Sequence, residues 1–207
     1  MILAVDIGNT NIVVGCIKGE EICFVERMST ESTRTELEYA ISFKNVLEMY
    51  GISIEQLDGG IISSVVPPVT NIVKRSVEKI LNTEVMLIGP GVKTGLNILM
   101  DDPRQVGSDR IVNAVAVVHE YPVPAAIIDM GTATTMMAVD ASGTFLGGSI
   151  CPGVKVSSEV LTTRTSQLPG ISLEAPKHAI GRNTTECMQS GIMLGAACMI
   201  DGMVARM

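Results

Sequence analysis

Aromatic residues are scarce in this chain, which has no Trp, three Tyr and three Phe among its 207 residues. A core must therefore be built from aliphatic side chains and from the thirteen Met, whose flexible thioethers fill irregular gaps. The apolar share of 46% is sufficient for such a core. A chain of this length forms either one large domain or two units of ordinary size.

Positive charge and long apolar runs are also lacking. The chain has 15 Lys and Arg against 22 Asp and Glu, and this net charge of −7 argues against nucleic acid and anionic membranes as partners. No run of consecutive apolar residues reaches the roughly 18 that a membrane span needs. Asp6 comes too early for a secretory signal. We therefore expect a soluble, cytoplasmic protein.

The cysteines show no paired spacing. Their number is odd and no two of them form a C-x-x-C pair, which indicates reduced core thiols in a cytosol and argues against a zinc site. They are Cys16, Cys23, Cys151, Cys187 and Cys198.

One stretch near the N-terminus has the composition of a phosphate-binding loop. The apolar residues Ile2 to Val5 predict a short strand, which leads to Asp6 and then to a turn containing Gly8. A glycine lets a ligand approach the backbone, N–H groups and short polar side chains cradle phosphate oxygens, and a carboxylate holds a cation or its waters. The alternative is an ordinary hairpin turn, since Asn, Thr and Gly are common turn residues.

A second copy of this plan favours the phosphate-binding interpretation. Residues 127–135 again run from an apolar strand through Asp129 and Gly131 into a β-branched segment. Two strands joined by a Gly-containing turn follow in each copy. An internal repeat predicts two similar lobes, which we place at residues 1–118 and 119–207. Two facing loops of this kind suit a polyphosphate held between the lobes.

Strands alternate with helices between the two copies. A capping box at Thr35 and Glu38 predicts the start of one helix, which Gly51 ends. A Pro pair at 67–68 predicts the start of a second helix, which runs to about Leu81. Apolar segments at 59–66 and 85–88 predict strands. This alternation predicts an α/β fold with parallel pairing beside three antiparallel leading strands.

The next predicted helix comprises residues 111–118, and the segment directly before it permits two interpretations. Ser108 or Asp109 could simply be the N-cap of that helix. The same place suits a catalytic carboxylate, because the positive end of the helix dipole would keep Asp109 ionised and able to accept a proton. Gly107 would let a substrate approach the backbone, and Arg110 could hold an anionic group or orient Asp109.

Taken together, the motifs resemble those of the type III pantothenate kinases, in the superfamily of sugar kinases, heat-shock ATPases and actin. They cover nearly the whole chain in the expected order. The resemblance implies a two-lobed, actin-like ATPase fold of ribonuclease H type, duplicated, with a mixed sheet in each lobe. The matching segments are Asp6–Thr10, Ser63–Pro68, Gly89–Leu96, Gly107–Arg110, Asp129–Thr134, Gly147–Gly153 and Gly181–Gly191.

The resemblance implies ATP-dependent phosphorylation of pantothenate, the first step of coenzyme A biosynthesis. Asp6 would lie near Mg²⁺, and Asp129 is similar to a family aspartate that coordinates a required monovalent cation, K⁺ or NH₄⁺. Thr132 would contact ATP from the second lobe. The loop that takes the ATP phosphates would comprise Asp6, Ile7, Gly8, Asn9, Thr10, Asn11, Ile12 and Val13.

The resemblance also implies a pantothenate site with Asp109 as the proton acceptor. Thr184 resembles a substrate-site threonine that family members supply across a dimer interface, so a homodimer is expected. The family usually has Tyr where this chain has Met100, which removes a hydroxyl and bears on substrate affinity more than on the chemistry. The remaining members of this site would be Gly107, Ser108 and Arg110.

The last stretch, from Thr184 to Met207, predicts a helix that is capped by Asn183 or Thr184. Family members continue for several further elements, so we expect the second lobe to be truncated or incomplete at its C-terminus.

Two other functions remain open. One is another small-alcohol kinase of the same superfamily. The other is a nucleotide-binding accessory or regulatory protein without turnover, like the Bvg accessory factor proteins that share this sequence type. The presence of Asp6, Asp109 and Asp129 favours an enzyme.

Overall fold

The computed structural model describes every residue from Met1 to Met207, and it divides into two compact units. The first unit contains residues 1–94 and 102–113, and the second contains residues 95–101 and 114–207. The lobe limits suggested by the repeat, 1–118 and 119–207, stay a prediction.

The first unit is built on a five-stranded mixed sheet with the strand order β3-β2-β1-β4-β5. The first three strands are antiparallel, whereas β4 and β5 continue the sheet in parallel with β1. This arrangement confirms the predicted α/β class and the predicted combination of antiparallel and parallel pairing. The strands are β1 Ile2–Ile7, β2 Asn11–Lys18, β3 Glu21–Ser29, β4 Gly59–Ser64 and β5 Met86–Leu87.

Two helices cover one face of this sheet and form the core with it. The first, α1 (Glu36–Met49), begins at the capping box formed by Thr35 and Glu38, as predicted. The second, α2 (Pro67–Leu81), begins at the Pro pair and ends at Asn82, which is left-handed with φ 49°. Two short 3₁₀ helices, Ile54–Gln56 and Pro103–Gln105, complete this unit together with the start of α3 (Ser108–Glu120). The fully buried residues of the core include Leu3, Ile7, Ile12, Tyr39, Phe43, Ile62, Val69 and Val73.

The second unit contains a three-stranded antiparallel sheet in the order β6-β7-β8. A mixed sheet was expected in each lobe, but the parallel contact here is one isolated bridge between Ile98 and Phe145. The physical reason is that the residues after β8 form helices and an irregular segment and offer no further strand to the sheet. The strands are β6 Ala125–Met130, β7 Ala133–Val139 and β8 Phe145–Pro152.

The helix α4 (Val154–Arg164) follows β8 directly and was not anticipated from the sequence. Its segment is rich in Val and Thr, which are weak helix formers. Thr162 and Thr163 turn their hydroxyls back on the carbonyls of Ser158 and Glu159, four residues earlier. The low helix propensity of these residues therefore explains why the sequence did not predict this helix.

The C-terminal helix consists of α5 (Thr184–Gln189), a π-helical segment (Ser190–Leu194) and α6 (Gly195–Val204). Asn183 is the N-cap, because its side-chain oxygen accepts from the N–H of Glu186 at 2.9 Å. No run of consecutive apolar residues in it reaches 18, yet this 21-residue helix has a mean hydropathy of 1.3 and meets the length and composition criteria for a membrane span. Counting consecutive apolar residues missed it because polar residues interrupt the run. One such helix is weak evidence, since core helices of soluble proteins meet the same criteria.

Candidate functional site

The first candidate loop is a tight hairpin between β1 and β2. Asp6 is the penultimate residue of β1, and its side chain is exposed. The N–H of Gly8 donates to the carbonyl of Asn11 at 2.9 Å, and the Thr30 hydroxyl donates to the carbonyl of Gly8 at 2.6 Å. The backbone of this loop therefore forms a hairpin turn, which was the alternative to a phosphate-binding loop. It is a fixed turn that presents short polar side chains next to a carboxylate, which is the composition that phosphate binding requires.

The second candidate loop repeats this geometry in the second unit. Asp129 is the penultimate residue of β6, as Asp6 is of β1. After it, the N–H of Gly131 donates to the carbonyl of Ala133 at 3.0 Å, which closes the turn. Thr132 lies at the tip of this turn, and its carbonyl accepts from the N–H of Gly153 at 3.0 Å. The internal repeat inferred from the sequence is therefore present in the backbone.

Gly153 is required by the close approach of this second turn. A Cβ at position 153 would lie 2.2 Å from the carbonyl oxygen of Gly131 and 2.5 Å from that of Thr132. We expect Gly153→Ala to lower the free energy of unfolding by about 1–3 kcal/mol, because backbone atoms must move to admit the methyl group. Urea unfolding measures this loss. Gly170→Ala is the matched control, since a Cβ there meets nothing within 4 Å; equal effects of the two variants would contradict the packing argument.

A buried hydroxyl faces the same way as Asp129. The strand register pairs Asp129 with Thr135 of β7, so their side chains leave the same face of the sheet. Thr135 is 9% exposed, and its Oγ1 has no hydrogen-bond partner. A buried hydroxyl without a partner suggests an ion or water at the site. Hard cations take carboxylate and hydroxyl oxygens, so the two residues fit a cation site.

Asp109, the other candidate carboxylate of the first unit beside Asp6, lies in the first turn of α3. The carbonyl of Gly107 accepts from the N–H groups of Arg110 and Ile111, so residue 107 takes the N-cap position rather than Ser108 or Asp109. Asp109 Oδ1 accepts from the N–H of Arg110 at 2.8 Å. A Cβ at position 107 would lie only 2.5 Å from that oxygen. The glycine therefore leaves room for the Asp109 carboxylate, a reason that the sequence did not reveal.

Ser108 ties the start of α3 to the end of β4. Its hydroxyl accepts from the N–H of Ser64 at 2.9 Å and from the hydroxyl of Ser63 at 3.1 Å, and it donates to the carbonyl of Ser64 at 2.8 Å. Ser63 in turn is paired with Asp6 in the parallel register of β1 and β4. The structure thus brings Asp6 and the helix start that carries Asp109 into one neighbourhood.

Removing this hydroxyl should destabilise the first unit. We expect Ser108→Ala to lower the free energy of unfolding by about 1–3 kcal/mol, because the N–H of Ser64 loses its buried acceptor. Chemical denaturation measures the loss, with the exposed Ser166→Ala as control. Unchanged stability would show that Ser108 does not hold the helix start in place.

A cavity of about 350 Å³ lies over the sheet face that carries Asp6. Val13 and Ile61 contribute to its apolar wall, and Val112 of α3 closes another side. The polar groups that face this space belong to Asp6 and Ser63. A small ligand in it would therefore meet one carboxylate in largely apolar surroundings.

The remaining candidates, Met100 and Thr184, lie in the second unit. Met100 packs against β8: a side chain at Gly147 would come within 2.9 Å of the Met100 sulfur. Thr184 is the first residue of α5 and lines an apolar cavity of about 810 Å³ together with residues of α4 and α6.

The loop before Thr184 is ordered by Glu186. Its carboxylate accepts from the N–H of Arg182 at 2.9 Å, and its own N–H donates to Asn183. The hydrogen bond from the Arg182 N–H, and after it the neighbouring Asn183 side chain, holds the pKa of Glu186 below its usual range. The carboxylate therefore stays charged and keeps the loop tied to the helix at neutral pH.

Comparison with known proteins identifies the family. The sequence model of the type III pantothenate kinases matches residues 2–206. The chain is 46% identical to a type III pantothenate kinase of Brevibacillus brevis over 206 residues, which is all of this chain and 81% of that protein. It is 44% identical to one of Halalkalibacterium halodurans, covering 82% of that protein.

Among solved structures, the chain resembles a protein from Campylobacter jejuni that is described as a Baf family transcriptional activator. The TM-score is 0.59 at 15% identity, and the match covers 97% of this chain and 78% of the other, which supports a shared fold. The family match over almost the whole sequence agrees with the duplicated loops and the Gly107–Arg110 helix start. This chain belongs to the type III pantothenate kinase family.

Proposed function

We propose that this chain transfers the γ-phosphoryl group of ATP to the primary hydroxyl of pantothenate and so catalyses the first step of coenzyme A biosynthesis. The family match is the observation that carries the reaction class. The Ser63–Ser108 contact supports the assignment of residues, since it holds the Asp109 helix start beside the strand of Asp6.

Asp109 is the proposed proton acceptor. Phosphoryl transfer passes through a loose transition state in which the attacking hydroxyl loses its proton late. An ordinary carboxylate within hydrogen-bond reach of the hydroxyl is therefore sufficient. One oxygen of Asp109 is engaged by the N–H of Arg110, which fixes its orientation and leaves the other oxygen for the substrate.

Phosphate binding is assigned to the loop that runs from Asp6 to Val13 and to Thr132. The chain offers turn N–H groups and short polar side chains there and no Walker-type lysine, so positioning and charge neutralisation carry most of the catalysis. Asp6 would hold Mg²⁺ or its waters. Mg²⁺ and the monovalent cation, when bound, neutralise charge on the transferring group.

The monovalent cation, K⁺ or NH₄⁺, is assigned to Asp129 with Thr135 as a second oxygen ligand. We expect Thr135→Val to raise the half-saturating K⁺ concentration at least about tenfold. It should also abolish K⁺-dependent stabilisation in a thermal unfolding series, a readout that does not need turnover.

Ser149→Ala is the matched control for this prediction. Its Oγ is also buried without a partner, but residue 149 pairs with Met136, so it faces the other side of the sheet. An unchanged K⁺ response in Thr135→Val, or an equal change in Ser149→Ala, would remove Thr135 from the cation site.

The pantothenate site is assigned to Gly107–Arg110 with Met100 and Thr184. A homodimer that places Thr184 near its interface is part of the same proposal. So is a cytoplasmic location, which suits the five free cysteines.

A screen of acceptor alcohols distinguishes this function from its two alternatives. The protein is incubated with ATP, Mg²⁺ and K⁺ and with pantothenate or other small alcohols, and phosphorylated products are identified by mass. We expect 4′-phosphopantothenate. Phosphorylation of a different alcohol alone would indicate another small-alcohol kinase. Binding of ATP without phosphorylation of any acceptor would favour the nucleotide-binding accessory protein.

A further inference from the structure

Cys16 and Cys23 lie on neighbouring strands outside the proposed active site. The register pairs Cys16 with Phe24 and Ile17 with Ile22, so Cys23 is the extra residue of a β-bulge. In a regular strand, residues 23 and 24 would point to opposite faces. The bulge instead brings Cys23 against the core cluster that contains both Cys16 and Phe24.

Both cysteines belong to this core region, Cys16 inside it and Cys23 packed against it. Cys16 is fully buried, and its Sγ donates to the sulfur of Met1 at 3.8 Å. After burial, the neighbouring Cys23 thiol also raises the pKa of Cys16, and Cys23 keeps part of its surface exposed. Cys23 is the chain neighbour of Phe24, the residue that pairs with Cys16, so the two cysteines lie on adjacent strands within one residue of direct pairing. A disulfide requires Cα atoms about 4.4–6.8 Å apart, and adjacent antiparallel strands are where such short separations occur.

We propose that Cys16 and Cys23 are an oxidative modification site, at which hydrogen peroxide converts the two thiols into an intramolecular disulfide. Neither residue belongs to the proposed active site, so the site is independent of the proposed function. Both thiols are reduced in the structure, and the oxidised form would join β2 to β3 across the hairpin.

The chemistry proceeds in two balanced steps. The sulfur of Cys23 attacks hydrogen peroxide, the O–O bond breaks, and Cys23 sulfenic acid and one water are formed. The sulfur of Cys16 then attacks the sulfenic sulfur, its proton leaves with the hydroxyl as a second water, and the S–S bond forms. In total, the two thiols lose two electrons and two protons to one peroxide molecule.

Exposure decides which cysteine reacts first. Burial, and then the neighbouring Cys23 thiol, raise the pKa of Cys16, which keeps it protonated at neutral pH. Cys23 is the partly exposed member, so the oxidant reaches it before Cys16. Cys16, which lies on the adjacent strand in the same core region, is then the thiol that resolves the sulfenic acid.

Tryptic mapping of the full chain tests the proposal, because trypsin separates the two cysteines. Cleavage after Lys18 and Arg27 yields the peptides 1–18 and 19–27, each with one cysteine. After hydrogen peroxide treatment and blocking of free thiols, we expect a disulfide-linked pair of these peptides as the main oxidised form of Cys23. Dithiothreitol should release the two peptides.

Two variants complete the test. Cys187→Ser removes an exposed thiol elsewhere and should leave the linked pair unchanged. Cys23→Ser should abolish it. The wild-type map decides the question even if a variant folds poorly. Three results would overturn the proposal: Cys23 is recovered as sulfinic acid, Cys23 is linked to a different cysteine, or Cys23 is still free after Cys187 has been oxidised.

Discussion

Replacing Asp109 by Asn should lower kcat by about 10²- to 10⁴-fold, the usual contribution of a positioned general base, while ATP binding persists. The substitution is well matched, because an Asn side-chain oxygen can still accept from the N–H of Arg110 at the start of α3. The helix start is therefore retained and the change removes the charge and the proton-accepting oxygen. Steady-state kinetics and ATP titration measure the two expectations.

The control for this variant lies on the same helix. Glu120→Gln neutralises an exposed carboxylate at the C-terminal end of α3 and should leave kcat unchanged. If Asp109→Asn keeps wild-type turnover, Asp109 is not the proton acceptor. If both variants lose activity together with thermal stability, α3 matters for folding and the assignment of Asp109 fails this test.

Replacing Gly107 by Ala should give the second largest loss of activity, with a smaller change in stability. The added Cβ would lie 2.5 Å from Asp109 Oδ1, so the carboxylate must swing away from its place. The atom that must move is the end of a side chain, and the next nearest atom, in Val65, is at an ordinary 3.5 Å. We expect kcat to fall by about a hundredfold, since small displacements of a catalytic group have costs of this size.

A double variant shows whether the effect passes through Asp109. When Gly107→Ala is added to Asp109→Asn, kcat should fall no further, because the displaced group is already inactive. Losses that multiply would show that residue 107 acts in another way, such as direct contact of its backbone with pantothenate.

The fold was predictable wherever the signals were local. The capping box at Thr35 and the Pro pair at 67–68 fixed the starts of α1 and α2. The repeated Asp-x-Gly segments identified both hairpins. Helix α4 was missed because its Val and Thr content opposes the helix locally and only the folded chain stabilises it.

The candidate site residues were chosen from sequence motifs, whereas the contacts that hold them in place could not be predicted from the sequence. The Asp6 and Asp109 positions followed from motifs. The hydroxyl of Ser108 reaches Ser63 across 45 positions of sequence, a contact that depends on the pairing of β1 with β4. Thr135 gave no signal either, because its place opposite Asp129 depends on strand register. Long-range pairing of this kind leaves no periodic trace in one sequence.

Phosphorus NMR of the complete reaction mixture tests the central claim most directly. With protein, ATP, Mg²⁺, K⁺ and pantothenate present, a phosphomonoester signal of 4′-phosphopantothenate should grow in step with ADP, and neither should grow when pantothenate is omitted. A spectrum in which ATP stays intact, or in which ADP accumulates with free phosphate and no phosphomonoester, would contradict the account.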